Sequence, residues 1–171
     1  GIRNNPDTVE WKGNLQIMID SHWISFDKLI FGNIINVDNV DLIQAFKIDE
    51  IHRIIFIENR ATYDVYSKEL KDNELVIYLG GFSGRKKLEF FKKIFTDYPE
   101  LNYYEWSDID LGGFRIFAQL KSVIPTLLPM MMTEKVLADH IEKCVSFNKQ
   151  YAEKLKKRNS PLFSSTIEKM L

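Results

Sequence analysis

The chain has 171 residues, 45% hydrophobic and 13% aromatic, enough for one packed domain, and no apolar run approaches the roughly 20 residues a membrane span needs. Lys plus Arg number 23 against 24 Asp plus Glu, so net charge announces no nucleic-acid partner and local basic patches would have to meet one. Cys144 is the sole cysteine, which excludes an internal disulfide and a cysteine-rich zinc site and suits a reducing cytoplasm.

The opening residues, "GIRNNPDTVEWKG", are polar and lack the apolar stretch of a secretory leader, and without an initiator Met a fragment of a longer chain is expected. Between residues 10 and 50, "NLQIMID", "HWISF" and "NIINV" lie between turn-like residues and read as short strands that extend or flank a sheet. Residues 52–60, "HRIIFIENR", form a continuous β-branched and aromatic run, the pattern of a strand buried on both faces. A helix over 61–71 follows, then a second buried strand, "ELVIYLGG", over 74–81.

The next helix, "SGRKKLEFFKKIFTDYP", places Leu88, Phe91, Phe95 and Tyr98 on one face and Arg85, Lys86, Lys92 and Lys93 on the other, and Pro99 stops it. "LNYYEW", 101–106, is the third strand and "GGFRIFAQLKSVI", 112–124, the third helix. Three strand–helix units in succession call for a parallel α/β sheet with helices on its faces. Beyond it, Thr133 is placed to cap a helix reaching Val145, residues 147–158 read as a polar basic helix, and a short helix runs to Leu171. The expected organisation is a strand-rich flank over 1–50, a core over 51–132 and a helical extension over 133–171.

In such a sheet, ligands bind where loops leave the C-terminal strand ends. Glu58 ends the first strand, and Asp108 and Asp110 follow the third, so neighbouring strands would bring three carboxylates together. Like charges a few ångströms apart repel by about 1 kcal/mol per pair even in water, and more in a cleft, so such a cluster needs protonation or a cation. Mg²⁺, which takes one or two carboxylates and completes its shell with water and phosphate oxygens, is the simplest. Asp110 has a second reading, as the cap of the helix that starts at "LGG". Glu105 reads as a solvent-exposed or edge residue, Cys144 as a buried thiol, and Met130, Met131 and Met132 as apolar filler under the sheet.

"IENRATY", "LGGFSG" and "YEWSDIDLGGFRI", in that order, resemble the Toprim-type domain at the C-terminal end of JetD, the nuclease subunit of Wadjet anti-plasmid systems. The resemblance covers about residues 50–132. It implies a Toprim, Rossmann-like fold related to the DNA-cleaving subunit of type VI topoisomerase. It also implies Mg²⁺-dependent endonuclease action on plasmid DNA, with Mn²⁺ as a possible substitute, and partners from an SMC-type complex. A second copy of the chain would suit cleavage of two strands. By the same resemblance, Glu58 is a metal ligand or general acid/base, and Asp108 and Asp110 are metal ligands. Family members usually carry Gly before the first aspartate; here Ser107 stands there, and Ser does not take positive φ cheaply. The family chain also continues into an acidic C-terminal segment and begins with a further N-terminal region.

Residues 85–93 hold five Lys/Arg and one Glu, a balance of +4, on a helix opening from a glycine-rich turn, and residues 149–158 have the same balance. Arg85 and Lys86 are the expected DNA contacts; solvated helix faces are the alternative. "GGFSGRKK" lacks the Gly-Lys-Ser/Thr ending of a nucleotide-binding P-loop, which excludes ATP there. Two alternatives remain: a Toprim-like scaffold that binds DNA or protein without cutting, and a haloacid-dehalogenase-like phosphatase. The latter's Asp-x-Asp motif follows the first strand of the unit, whereas here it follows the third.

Overall fold

The computed structural model describes residues 7–25, 32–144, 146, 148–157 and 161–171; the polar opening residues 1–6, Val145, Phe147 and Arg158 lie outside the described residues. The strands are β1 (Thr8–Lys12), β2 (Gln16–Ile19), β3 (His22–Ser25), β4 (Asn33–Asn36), β5 (Ile43–Lys47), β6 (Arg53–Ile57), β7 (Glu74–Tyr78), β8 (Asn102–Trp106) and β9 (Leu128–Pro129). The helices are α1 (Arg60–Lys68), α2 (Arg85–Asp97), α3 (Leu111–Lys121), α4 (Glu134–Asp139), α5 (Lys149–Lys156) and α6 (Ser164–Met170).

A six-stranded sheet has the order β4-β1-β7-β6-β8-β9. Its β7-β6-β8-β9 portion is parallel, as the alternating strands and helices require. The N-terminal β1 and β4 add to it antiparallel, while β3-β2-β5 form a separate antiparallel sheet. The short N-terminal strands therefore do both things expected of them, one pair extending the sheet and one group flanking it. Three strands, β1, β5 and the two-residue β9, were not among those read from the sequence.

The β6 run is apolar throughout because both of its faces are covered. Ile54 and Phe56 enter the larger core with α2 and α3, and Ile55 and Ile57 enter a second cluster with Tyr63 and Tyr66 of α1. Phe56 meets Phe91 of α2 edge-on at 4.9 Å between ring centres. Such contacts add about 0.5–1.5 kcal/mol beyond the area they bury. The small sheet leans on α2 through Phe46 against Phe90, centred 5.1 Å apart, and Tyr98 Oη donates to the Phe46 carbonyl at 3.0 Å.

The C-terminal helices pack back onto the sheet's helical layer. Phe163, just before α6, stacks on Phe114 and Phe117 of α3 at 4.7 and 4.9 Å, and α4 packs against α6. Thr133 caps α4 as expected, its Oγ1 accepting from Val136 N, but the helix ends at Asp139 rather than Val145 and a single 3-10 turn follows. Met132 is buried in the core, whereas Met131 is 42% exposed. No helix among the described residues is long and apolar enough to cross a membrane.

Candidate active site

The site is built by the adjacency of β6 and β8. The two strands run parallel with Ile57 opposite Trp106, and the ladder continues one step further through Glu58 N–H to the Trp106 carbonyl at 3.0 Å. Glu58 thus emerges at the same edge as the turn that follows β8. Its Oε2 accepts from the Asp108 backbone N–H at 3.4 Å, so the carboxylate lies against that turn. Glu58 is half-buried and Asp108 is exposed.

Asp110 takes the capping role. Its backbone is extended, its Oδ1 accepts from Gly113 N–H at 2.7 Å, and its own N–H closes the turn onto the Asp108 carbonyl at 2.9 Å. Gly113 is required here, because a Cβ at that position would collide with the Asp108 carbonyl oxygen. Tyr151 of α5 adds a tie from outside the sheet, its hydroxyl accepting from Leu111 N–H at 2.8 Å, one residue past Asp110. The structure brings Glu58 and Asp108 together; among the described residues no group of three or more His, Cys, Asp or Glu side chains is gathered as a metal cage. Carboxylates that follow adjacent parallel strands are nevertheless hard oxygen donors, of which Mg²⁺ takes one or two from protein.

Beneath this edge lies a residue that sequence reading placed wrongly. Glu105 is fully buried, not exposed: it pairs in register with Phe56 and shares the α2/α3 face of the sheet with Tyr103. The available signal was the two-residue alternation from Tyr103, overridden by the expectation that a carboxylate avoids the core. Burial pushes its pKa up to about 8, with the Glu58 charge adding to the rise and the hydrogen bond from Ser107 opposing it. One carboxyl oxygen accepts from the Ser107 hydroxyl and the other is buried without a partner. Ser107 itself is buried and is not among the described residues at positive φ, so the serine fits this turn without backbone strain.

The basic patch on α2 is held by acids of the same chain. Lys86 Nζ pairs with Asp41 at 2.7 Å and Glu89 at 3.1 Å, and Arg85 approaches Glu89 at 3.5 Å. The hydrogen bond and charge of Lys86 hold the Asp41 carboxyl below its ordinary range. At the helix start the Asp7 carboxylate stands where a Cβ on Gly84 would be. The turn before it is pinned to α3 by paired bonds between the Ser83 backbone and the Gln119 amide, both 3.0 Å. Lys87, next in the run, points inward: it is buried and donates to the Leu79 carbonyl at 2.8 Å, and burial pushes its ammonium pKa down. Cys144, expected in the interior, is exposed, because the helix that would have buried it ends five residues earlier.

Two comparisons with known proteins bear on this geometry. A family model described as "Wadjet protein JetD, C-terminal" matches residues 30–171. Wadjet protein JetD of Bacillus cereus (strain Q1) is 31% identical over 163 residues, which are 92% of this chain and 39% of that protein. The chain therefore spans about two fifths of the length of the curated relative it matches.

Proposed function

The chain belongs to the JetD C-terminal family, and on that premise we propose that it is the Toprim-type nuclease domain of a Wadjet defence protein, cleaving plasmid DNA with Mg²⁺. The observation that carries this reading is the meeting of Glu58 and Asp108 at the C-terminal ends of two adjacent parallel strands. In it, Glu58, Asp108 and Asp110 are the residues that would hold the metal. A bound Mg²⁺ would polarise a phosphoryl oxygen and lower the pKa of a coordinated water. In this reading Glu58 would alternatively serve as the general acid/base at the attacking or leaving oxygen. Arg85 and Lys86 bind DNA in this reading by exchanging Asp41 and Glu89 for backbone phosphates. The other subunits of an SMC-type complex deliver the DNA, and a second copy of the domain serves the second strand.

The test is plasmid cleavage by the full-length protein with Mg²⁺, Mn²⁺ or a chelator. Divalent-dependent nicking or linearisation that disappears in Glu58→Ala and in Asp108→Ala is expected; cleavage that survives both substitutions removes the site. The engagement of Asp110 in capping favours a second reading, a Toprim-like scaffold that holds DNA without cutting it. That scaffold binds plasmid but leaves it intact under every metal condition.

A further inference from the structure

The C-terminal helices do more than cover α3. Between the Asp108–Asp110 turn and the segment from α4 to α6 lies a cleft of about 1030 Å³, at the upper end of the roughly 300–1,000 Å³ typical of ligand sites. Asp108 and Asp110 line it on one side, and His140, Cys144, Tyr151 and Lys169 line it on the other. The far wall is fixed to the near one. Phe163 anchors the start of α6 on α3, Thr166 Oγ1 donates to the Met132 carbonyl at 3.4 Å, and the Tyr151 hydroxyl grips the α3 N-terminus.

Charge tells what this cleft would take. Lined by aspartates alone, it would repel any anion, but Lys169 is the only Lys or Arg among the described residues that line it, and it is exposed. It makes no ion pair with a described residue, in contrast to Arg85 and Lys86, which acids of the chain already hold. A wall with an exposed ammonium, across the cleft from carboxylates suited to a hard cation, would give a phosphodiester a cationic partner on the side away from those carboxylates.

We propose that this cleft seats the DNA backbone next to the carboxylate turn, with Lys169 as its phosphate contact. The identity of the ligand rests on the nuclease reading; the cleft and its cation do not.

The experiment uses the full-length protein and a short DNA duplex, with Ca²⁺ replacing Mg²⁺ so that binding is read without turnover. Lys169→Glu is expected to weaken binding by roughly tenfold and to lower the slope of log affinity against log salt by about one, while Lys169→Arg stays near the parent. Alkylation of Cys144, followed by mass spectrometry, is expected to slow several-fold when the duplex is bound. Unchanged affinity and salt slope in Lys169→Glu, or Cys144 alkylated equally fast with and without DNA, overturns the proposal. Binding with Cys144 protection but no cleavage in Mg²⁺ upholds the cleft and removes the nuclease reading. Failure of the parent protein to bind DNA removes both.

Discussion

Substituting Glu105 by Gln should make the protein more stable than the parent at alkaline pH. Glu105 is fully buried, receives one hydrogen bond, from Ser107, and has a pKa raised from 4.5 to about 8. In the folded state it is therefore neutral at pH 7, and in the unfolded chain it is ionised. For a group whose folded pKa is raised, stability is full below the unfolded pKa, falls between the two values and levels off above the folded one. Each unit corresponds to about 1.4 kcal/mol, so the loss between about pH 4.5 and pH 8 is about 5 kcal/mol. That is a large part of the roughly 5–15 kcal/mol by which domains are stable. The Glu105→Gln side chain keeps the shape and the acceptor for Ser107 but cannot ionise. Urea denaturation at about pH 5 and about pH 8.5 should show parent and Glu105→Gln close together at the lower pH. At the higher pH the variant should unfold at clearly more denaturant. Parallel stability profiles across that interval would refute a buried, neutral Glu105.

Three further perturbations test the elements that hold the site. Asp110→Ala should cost about 1 kcal/mol of stability through loss of the α3 cap, while Asp110→Asn keeps the cap; thermal melts separate the two, and metal titration of Asp110→Asn then reports on its charge alone. Arg53→Met leaves buried Glu74 without the guanidinium that pairs with it, and should destabilise by about 3–5 kcal/mol in chemical denaturation. Burial works against ionised Glu74, but Arg53 and Tyr66 outweigh it and lower its pKa, so this stabilisation is present at neutral pH and drains away as pH falls below about 4.5. Phe163→Ala removes the ring that stacks on Phe114 and Phe117, should cost about 3–5 kcal/mol, and should speed hydrogen exchange in α6 while leaving β6 protected.

The order of the parallel unit was legible because its strands are buried on both faces. That condition writes itself into sequence as unbroken apolar runs such as "RIIFI", and the intervening helices carry the other period. The positions of Glu58 and Asp108 at the strand ends were legible too: each is the first charge past its strand, and parallel strands put all such ends on one edge. The capping alternative for Asp110 was also visible, in the Gly-Gly that follows it. The β1 and β5 strands were not, since strands of five residues carry little more than their own few residues of pattern.

Local pattern thus determined which residues stand at the ends of the strands, because strand burial and strand direction are properties of consecutive residues. Only the tertiary structure decided what surrounds them. That Glu105 is buried follows from its register against Phe56, that Lys86 is occupied follows from Asp41 forty-five residues away, and that Lys169 lines the cleft follows from Phe163 docking on α3. Such contacts depend on how far-separated segments pack, and packing energy is shared among many apolar residues, none of which names its partner in the sequence.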